Sequence, residues 1–223
     1  MWTRARPVRI RLERAFSLAG RRFFSKMYRG DGGWVPQGRD PPAVEGTRGF
    51  SMTLKDIKLV IMDVDGVLTD GTISISDDGG ETKHFSVHDW TGIAYLERMG
   101  IRTALVSGRD SAAVVHRARE AGILEVHQGV KDKLPVVEEL MRRYGLKREE
   151  VAYVGDDVTD IPAARAAGFS VAVADAHEEL KARCDHVTRS PGGKGAVREL
   201  AEAILKAQDK WAVVMKRYTG TES

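Results

Sequence analysis

A single cysteine, Cys184, stands in a chain of 223 residues. One thiol cannot form an internal disulfide, so the fold must rest on packing, and this usage suits a reducing cytoplasm. No run of 18 apolar residues occurs, so a membrane-spanning helix is not expected. Beyond residue 50 the chain also lacks excess positive charge. Residues 1–50 hold eleven Lys and Arg against four acids, or +7, which leaves 24 against 28, or −4, for residues 51–223. An acidic body gives no reason to expect a nucleic-acid partner. In the basic segment, no apolar stretch follows Arg21-Arg22-Phe23-Phe24, so it does not read as an export signal. Serine is too scarce there for a transit peptide. Residues 1–51 are expected to be a disordered N-terminal extension, or sequence translated ahead of a start at Met52. No internal repeat is visible.

What remains is an ordinary globular composition, 42% hydrophobic and 30% charged. Residues 52–210 read as one domain and 211–223 as a tail. Ile57–Met62 is a continuous apolar run, the mark of a buried strand. Thr72–Ser76 and Thr82–Val87 alternate around Asp77-Asp78-Gly79-Gly80 and read as a β-hairpin. Helical and extended patterns then take turns. Helices are expected over Gly92–Met99, Ser111–Ala121, Lys133–Tyr144, Ile161–Ala167 and Glu178–Arg183, with a last one running to about Trp211. Strands are expected at Arg102–Val106, Ile123–Val126, Val151–Val154 and Ser170–Val173. Gly100, Gly122, Gly145 and Gly168 fall where helices should end. Such alternation predicts a three-layer α/β fold, a Rossmann-like parallel sheet with helices on both faces, with its site beyond the carboxyl ends of the strands.

Four motifs fall at those ends. Asp63-Val64-Asp65-Gly66 follows the first apolar run. Carboxylates two apart on an extended chain leave on one side, so one can attack phosphorus while the other handles a proton. The plainer reading is a turn with solvated acids. Ser107-Gly108-Arg109 ends the second parallel strand, where a hydroxyl and backbone N–H groups can hold phosphate oxygens, although Ser-Gly turns are common. Lys133 opens the helix after the third strand. Its ammonium can neutralise a phosphate, though a lone lysine is usually a surface residue. Gly155-Asp156-Asp157-Val158-Thr159-Asp160 ends the next strand and can complete an oxygen site for Mg2+, or be only an acidic helix N-terminus. Together the four supply the parts that phosphoryl transfer by positioning and electrostatics needs.

On these residues the sequence resembles the haloacid dehalogenase superfamily. It is most similar to the small capless branch holding the 3-deoxy-D-manno-octulosonate 8-phosphate phosphatases. The similarity runs from about Lys58 to Leu205, carried by Asp63–Gly71, Val106–Arg109, Gln128–Lys133, Val151–Asp157, Val171–His177 and Gly192–Glu199. The resemblance implies a hairpin insertion and no cap domain. It also implies a Mg2+-dependent phosphatase of a phosphorylated acidic sugar, active in lipopolysaccharide biosynthesis. Asp63 would be the nucleophile, and Asp65 the proton donor and then the base. Mg2+ would be held by Asp63, the Asp65 carbonyl and Asp156. Ser107, Gly108 and Lys133 would hold the phosphoryl group, with Asp65, Asp89, Arg109 and Arg117 toward the substrate. A homotetramer is implied, with the hairpin in the assembly and Gly192-Gly193-Lys194-Gly195 reaching toward a neighbour's site.

The chain departs from the branch in Val87-His88-Asp89-Trp90-Thr91-Gly92. Trp90 stands where glycine follows the aspartate, and Ala94 where a basic residue often sits. These changes leave the sugar open, so a phosphatase of a nine-carbon keto-acid phosphate, or of another small phosphoester, is an alternative. His88 reads as a substrate contact or, more commonly, a partly buried polar residue; Trp90 reads as a pocket wall or plain packing. A phospho-receiver domain is a competitor of another class. It needs no acid at the position of Asp65, nor Asp156-Asp157 after the lysine. No motif lies in residues 1–51, so deleting them should leave solubility and turnover unchanged. An insoluble or inactive truncated protein would contradict this.

Overall fold

The structure, a computed structural model, describes residues 54–220, so the expectations for residues 1–51 lie outside it. Six parallel strands form the sheet: β1 (Leu59–Met62), β4 (Arg102–Val106), β5 (Glu125–His127), β6 (Val151–Gly155), β7 (Phe169–Ala172) and β8 (His186–Val187). Their spatial order is β5-β4-β1-β6-β7-β8. A two-stranded antiparallel hairpin, β2 (Ser74–Ile75) with β3 (Glu81–Thr82), stands apart from them. Seven helices complete the described fold: α1 (Val87–Arg98), α2 (Ala112–Ala121), α3 (Leu134–Tyr144), α4 (Ile161–Ala166), α5 (Glu178–Lys181), α6 (Ala196–Ala207) and α7 (Trp211–Thr219). The expected α/β class is the observed one. Among the described residues, no helix is long and apolar enough to cross a membrane.

Every residue of β1 is fully buried, because helices flank the sheet and strands pair along both its edges. The chain runs outward from β1 through β4 to β5, then returns to place β6 on the other side of β1. The order therefore reverses between β1 and β6. At such a point the two following loops part and leave a crevice at the strand ends.

Three local readings differ from the structure. The hairpin pairs only Ser74–Ile75 with Glu81–Thr82, and Val87 opens α1 rather than ending a strand. The reason is Ser86, whose hydroxyl accepts from Asp89 N at 3.4 Å and caps the helix. Gly168 does not end a helix in the left-handed region. It is needed because a Cβ there would lie 2.4 Å from the Arg148 carbonyl oxygen. The stretch expected to be a tail forms α7, and Trp211 joins it to the body with its ring 6.1 Å from that of Tyr95.

Asp89 is fully buried between α1 and α6. Its two carboxylate oxygens accept from Gly195 N at 3.0 Å and Arg198 N at 2.9 Å, two donors of the first turn of α6 that have no partner within the helix. Removing the acceptor would leave both partly buried donors without it. Asp89→Ala is expected to lower stability by roughly 1–3 kcal/mol. Urea unfolding checks this, and an unchanged midpoint would exclude the anchoring role.

Candidate active site

The crevice between β1 and β6 holds the acids. The backbone of Asp63 continues the ladder, with N–H donating to Val154 O at 3.0 Å, while its carboxylate stands at the strand's end with the residue 6% exposed. The chain then turns sharply, and Leu68 N and Thr69 N donate back to Val64 O at 2.9 and 3.1 Å. Gly66 makes the turn possible. Its φ is +88°, and a Cβ on it would lie 2.0 Å from Oδ2 of Asp156. The Asp156 carboxylate is thus pressed against the turn that carries Asp63 and Asp65.

Lys133 joins this cluster as its counter-charge. Its Nζ lies 2.7 Å from Asp63 Oδ2 and 2.6 Å from Asp160 Oδ1, with the side chain 6% exposed. Asp160 has no exposure at all and accepts four hydrogen bonds. Oδ1 takes Lys133 Nζ and the Tyr153 hydroxyl at 2.7 Å, and Oδ2 takes the N–H groups of Asp156 and Asp157 at 2.9 and 3.2 Å. One buried carboxylate therefore fixes the lysine, a core tyrosine and the loop after β6.

The electrostatics follow from three acids around one cation. Burial, then the neighbouring Asp160, pushes Asp63 up to about 6 against the pull of Lys133. Burial, then Asp63, pushes Asp156 up to about 8. Burial works against charge on Lys133, but Asp63 and Asp160 outweigh it and hold the ammonium above the ordinary lysine value. Oδ1 of Asp156 is buried and has no hydrogen-bond partner. Single oxygens of Asp63, Asp156 and Asp160 lie within 4.8 Å of one another. Asp160 accepts two hydrogen bonds at each oxygen, whereas Asp63 has one partner at each, Val64 N at 2.7 Å on Oδ1 and Lys133 on Oδ2, and Asp156 Oδ1 has none, so Asp63 and Asp156 keep the lone pairs to meet a cation. A hard divalent ion such as Mg2+ fits this all-oxygen donor set, which keeps positions for water and phosphate. Cys184 offers no rival nucleophile, since burial raises its thiol to about 11.

The other candidates divide between the rim of the sheet and places away from it. Ser107 stands one residue beyond β4, is 2% exposed, and its Oγ accepts from Arg109 N at 3.1 Å. Gly108, between them, has only the Val130 carbonyl near where a Cβ would be, at 3.7 Å. Asp65 turns toward the hairpin and pairs with Lys83. Arg109 Nη2 lies 2.7 Å from Glu81 Oε2 on the same hairpin. Arg117 makes its contacts elsewhere, with its guanidinium 2.6 Å from Glu120 and 5.2 Å over the Trp90 ring. The expectation that Asp89 faces a substrate is corrected, because both its oxygens are buried on α6. His88 is exposed rather than partly buried. Trp90 is packing: it is 2% exposed and meets Phe85 edge-on at 5.5 Å. Gly192 and Gly193 lie against the nucleophile turn of their own chain, with Gly193 N donating to Val67 O at 2.8 Å.

Sequence reasoning missed Lys83, Glu81 and the anchoring role of Asp160. Asp160 was within reach: it lies four residues after Asp156 in the same acidic run. Lys83 and Glu81 look like ordinary hairpin charges, and nothing in their spacing points to Asp65.

The model of the haloacid dehalogenase-like hydrolase family matches residues 90–168. The 3-deoxy-D-manno-octulosonate 8-phosphate phosphatase KdsC of Escherichia coli K12 is 44% identical over 156 residues, which cover 70% of this chain and 83% of that enzyme. Its counterpart from Yersinia pestis is 45% identical over 155 residues, with the same shares. Among solved structures, the Moraxella catarrhalis 3-deoxy-D-manno-octulosonate 8-phosphate phosphatase, in complex with magnesium, phosphate and KDO, superposes with a TM-score of 0.76 at 41% identity. It covers 78% of this chain and 99% of that one. The cobalt-bound Haemophilus influenzae enzyme gives a TM-score of 0.70 at 44% identity, covering 72% and 94%.

The raised acids set a pH dependence. Asp63 and Asp156 hold protons more tightly folded, at about 6 and about 8, than at the ordinary 3.8. In metal-free protein their contribution to stability is full below pH 3.8 and is lost as pH rises through 6 and then 8. A divalent cation replaces those protons. Mg2+ should therefore raise the unfolding temperature more at pH 8 than at pH 5.5, measured against EDTA-treated protein. Equal shifts at both pH values would refute the assignment of these acids.

Proposed function

The chain belongs to the haloacid dehalogenase-like hydrolases, and from that premise we propose that it is a Mg2+-dependent phosphatase of 3-deoxy-D-manno-octulosonate 8-phosphate. One observation carries the reading: Asp63 stands at the end of β1 with the Lys133 ammonium 2.7 Å away, while Asp156 ends the adjacent strand β6. The sugar is inferred from the names of the similar enzymes and from the KDO held by the Moraxella catarrhalis structure.

In this proposal Mg2+, held by Asp63, Asp156 and the Asp65 backbone carbonyl, supplies positive charge for the phosphoryl oxygens. Ser107 and the backbone at Gly108 hold the phosphoryl group from one side and Lys133 from the other. An Asp63 oxygen attacks phosphorus as the bond to the sugar oxygen breaks, and Asp65 gives that oxygen a proton. Water then attacks the aspartyl-phosphate, returns a proton to Asp65 and frees Asp63 and inorganic phosphate. Lys133 keeps Asp63 ionised near neutrality despite its burial, which a nucleophile requires. Arg109 meets the carboxylated sugar, with Arg117 farther out on α2. The catalytic domain of this proposal begins at residue 52 and takes in α7, with residues 1–51 as an extension. We further propose a cytoplasmic homotetramer in lipopolysaccharide biosynthesis, supported by the exposed Ile75 on the hairpin, which offers apolar area to a neighbour.

Phosphate release from this sugar phosphate and from an aryl phosphate should require Mg2+ and disappear in Asp63→Asn. Asp65→Asn should lower kcat by roughly 10²–10⁴-fold with a smaller change in KM, because the proton moves in the transition state. Turnover that survives Asp63→Asn would sink the mechanism.

A further inference from the structure

The hairpin places a second cation beside the site. Lys83 follows β3 directly, and its side chain is 1% exposed. Its Nζ contacts Asp65 Oδ1, across 18 residues of chain, and lies 3.3 Å from Glu81 Oε1. Glu81 uses its other oxygen to hold Arg109 at 2.7 Å. A covered ammonium is costly unless paired, and both of its partners are carboxylates at the mouth of the site. The hairpin's own ladder is two residue pairs, and three of those four residues are exposed. Lys83 therefore does not serve a hairpin core; among the described residues its ammonium pairs with Asp65 and Glu81.

We propose that Lys83 is a positioning residue. Its ammonium pins Oδ1 of Asp65, and Glu81 pins Lys83, so that Oδ2 of Asp65 meets the leaving oxygen of the ester. This rests on the role given to Asp65 above. An unpinned Asp65 has free rotation about both side-chain torsions, and a carboxyl out of line transfers its proton poorly. Glu81 links the same element to Arg109, so one hairpin sets the placement of proton carrier and substrate-facing guanidinium together.

Leaving-group dependence tests this, because a sugar alkoxide needs a proton to depart and a nitrophenolate does not. The readout is kcat/KM in Mg2+ for 3-deoxy-D-manno-octulosonate 8-phosphate and for p-nitrophenyl phosphate, which covers the steps up to loss of the alcohol. Lys83→Met should lower the value for the sugar ester at least roughly tenfold more than for the aryl ester, as Asp65→Asn does. Lys83→Arg should recover much of the difference. Adding Lys83→Met to Asp65→Asn should cost little more, since the pair acts as a unit. Equal losses on both esters, or a full further loss in the double variant, would overturn the proposal. Should Lys83→Met fail to fold, the double variant, which removes both charges at once, is compared with Asp65→Asn, and a full further loss there still overturns the proposal. Selectivity in Asp65→Asn without it in Lys83→Met defeats the role of Lys83 alone. Absence of sugar-ester turnover in the unaltered protein defeats the phosphatase reading as well.

Discussion

The site depends on one ammonium held between two buried carboxylates. Lys133 bridges Asp63 and Asp160 at 2.7 and 2.6 Å, in a region where an unpaired charge of either sign would be severely penalised. Burial alone would neutralise Asp63. The lysine opposes that, and Asp160 is what keeps the lysine in place. Asp160 also gathers the Tyr153 hydroxyl and two backbone N–H groups of the β6 loop. Chemistry and folding therefore share one network. A change at Asp160 would disturb the counter-ion, the core tyrosine and the Asp156 loop together.

The sheet explains why these groups meet. The strand order reverses between β1 and β6, and the two loops that carry Asp63 and Asp156 part at that reversal. Gly66 then lets them touch, because the absence of a Cβ leaves room for the Asp156 carboxylate. The hairpin approaches the same rim from the chain between β1 and α1, bringing Lys83 and Glu81 to Asp65 and Arg109. Acids from two strand ends and the hairpin meet cations from three separate segments, Lys83, Arg109 and Lys133, and the acids outnumber them.

Much of this was legible in the sequence, because apolar runs and glycine stops report burial and chain reversal directly. The Arg102–Val106 strand coincides with β4, and the four motifs fall at successive strand ends as their spacing implies. The failures have physical causes. Strand β8 is two residues long, too short to show a period. Helix α7 is only nine residues long and is separated from α6 by a short break, and its attachment depends on Trp211 meeting Tyr95, a contact across sequence. Asp89 reads as a polar residue in a functional segment, yet it serves the first turn of a helix more than a hundred residues later. Lys83 could not be assigned for the same reason: its partner is set by how the hairpin folds back, which no local pattern encodes.

The seating of Gly192 has a consequence for how the molecule comes into being. A Cβ there would lie 1.7 Å from the Gly66 carbonyl oxygen, so the loop after β8 is packed directly against the turn after β1, more than a hundred residues earlier in the chain. A nascent polypeptide emerging from the ribosome has already exposed Asp63 and Asp65 when that loop is still unmade. At ~5–20 residues per second, the wait lasts on the order of ten seconds. Until that loop is made, the turn that carries Asp63 and Asp65 lacks the backbone of Gly192 and Gly193 that packs against it.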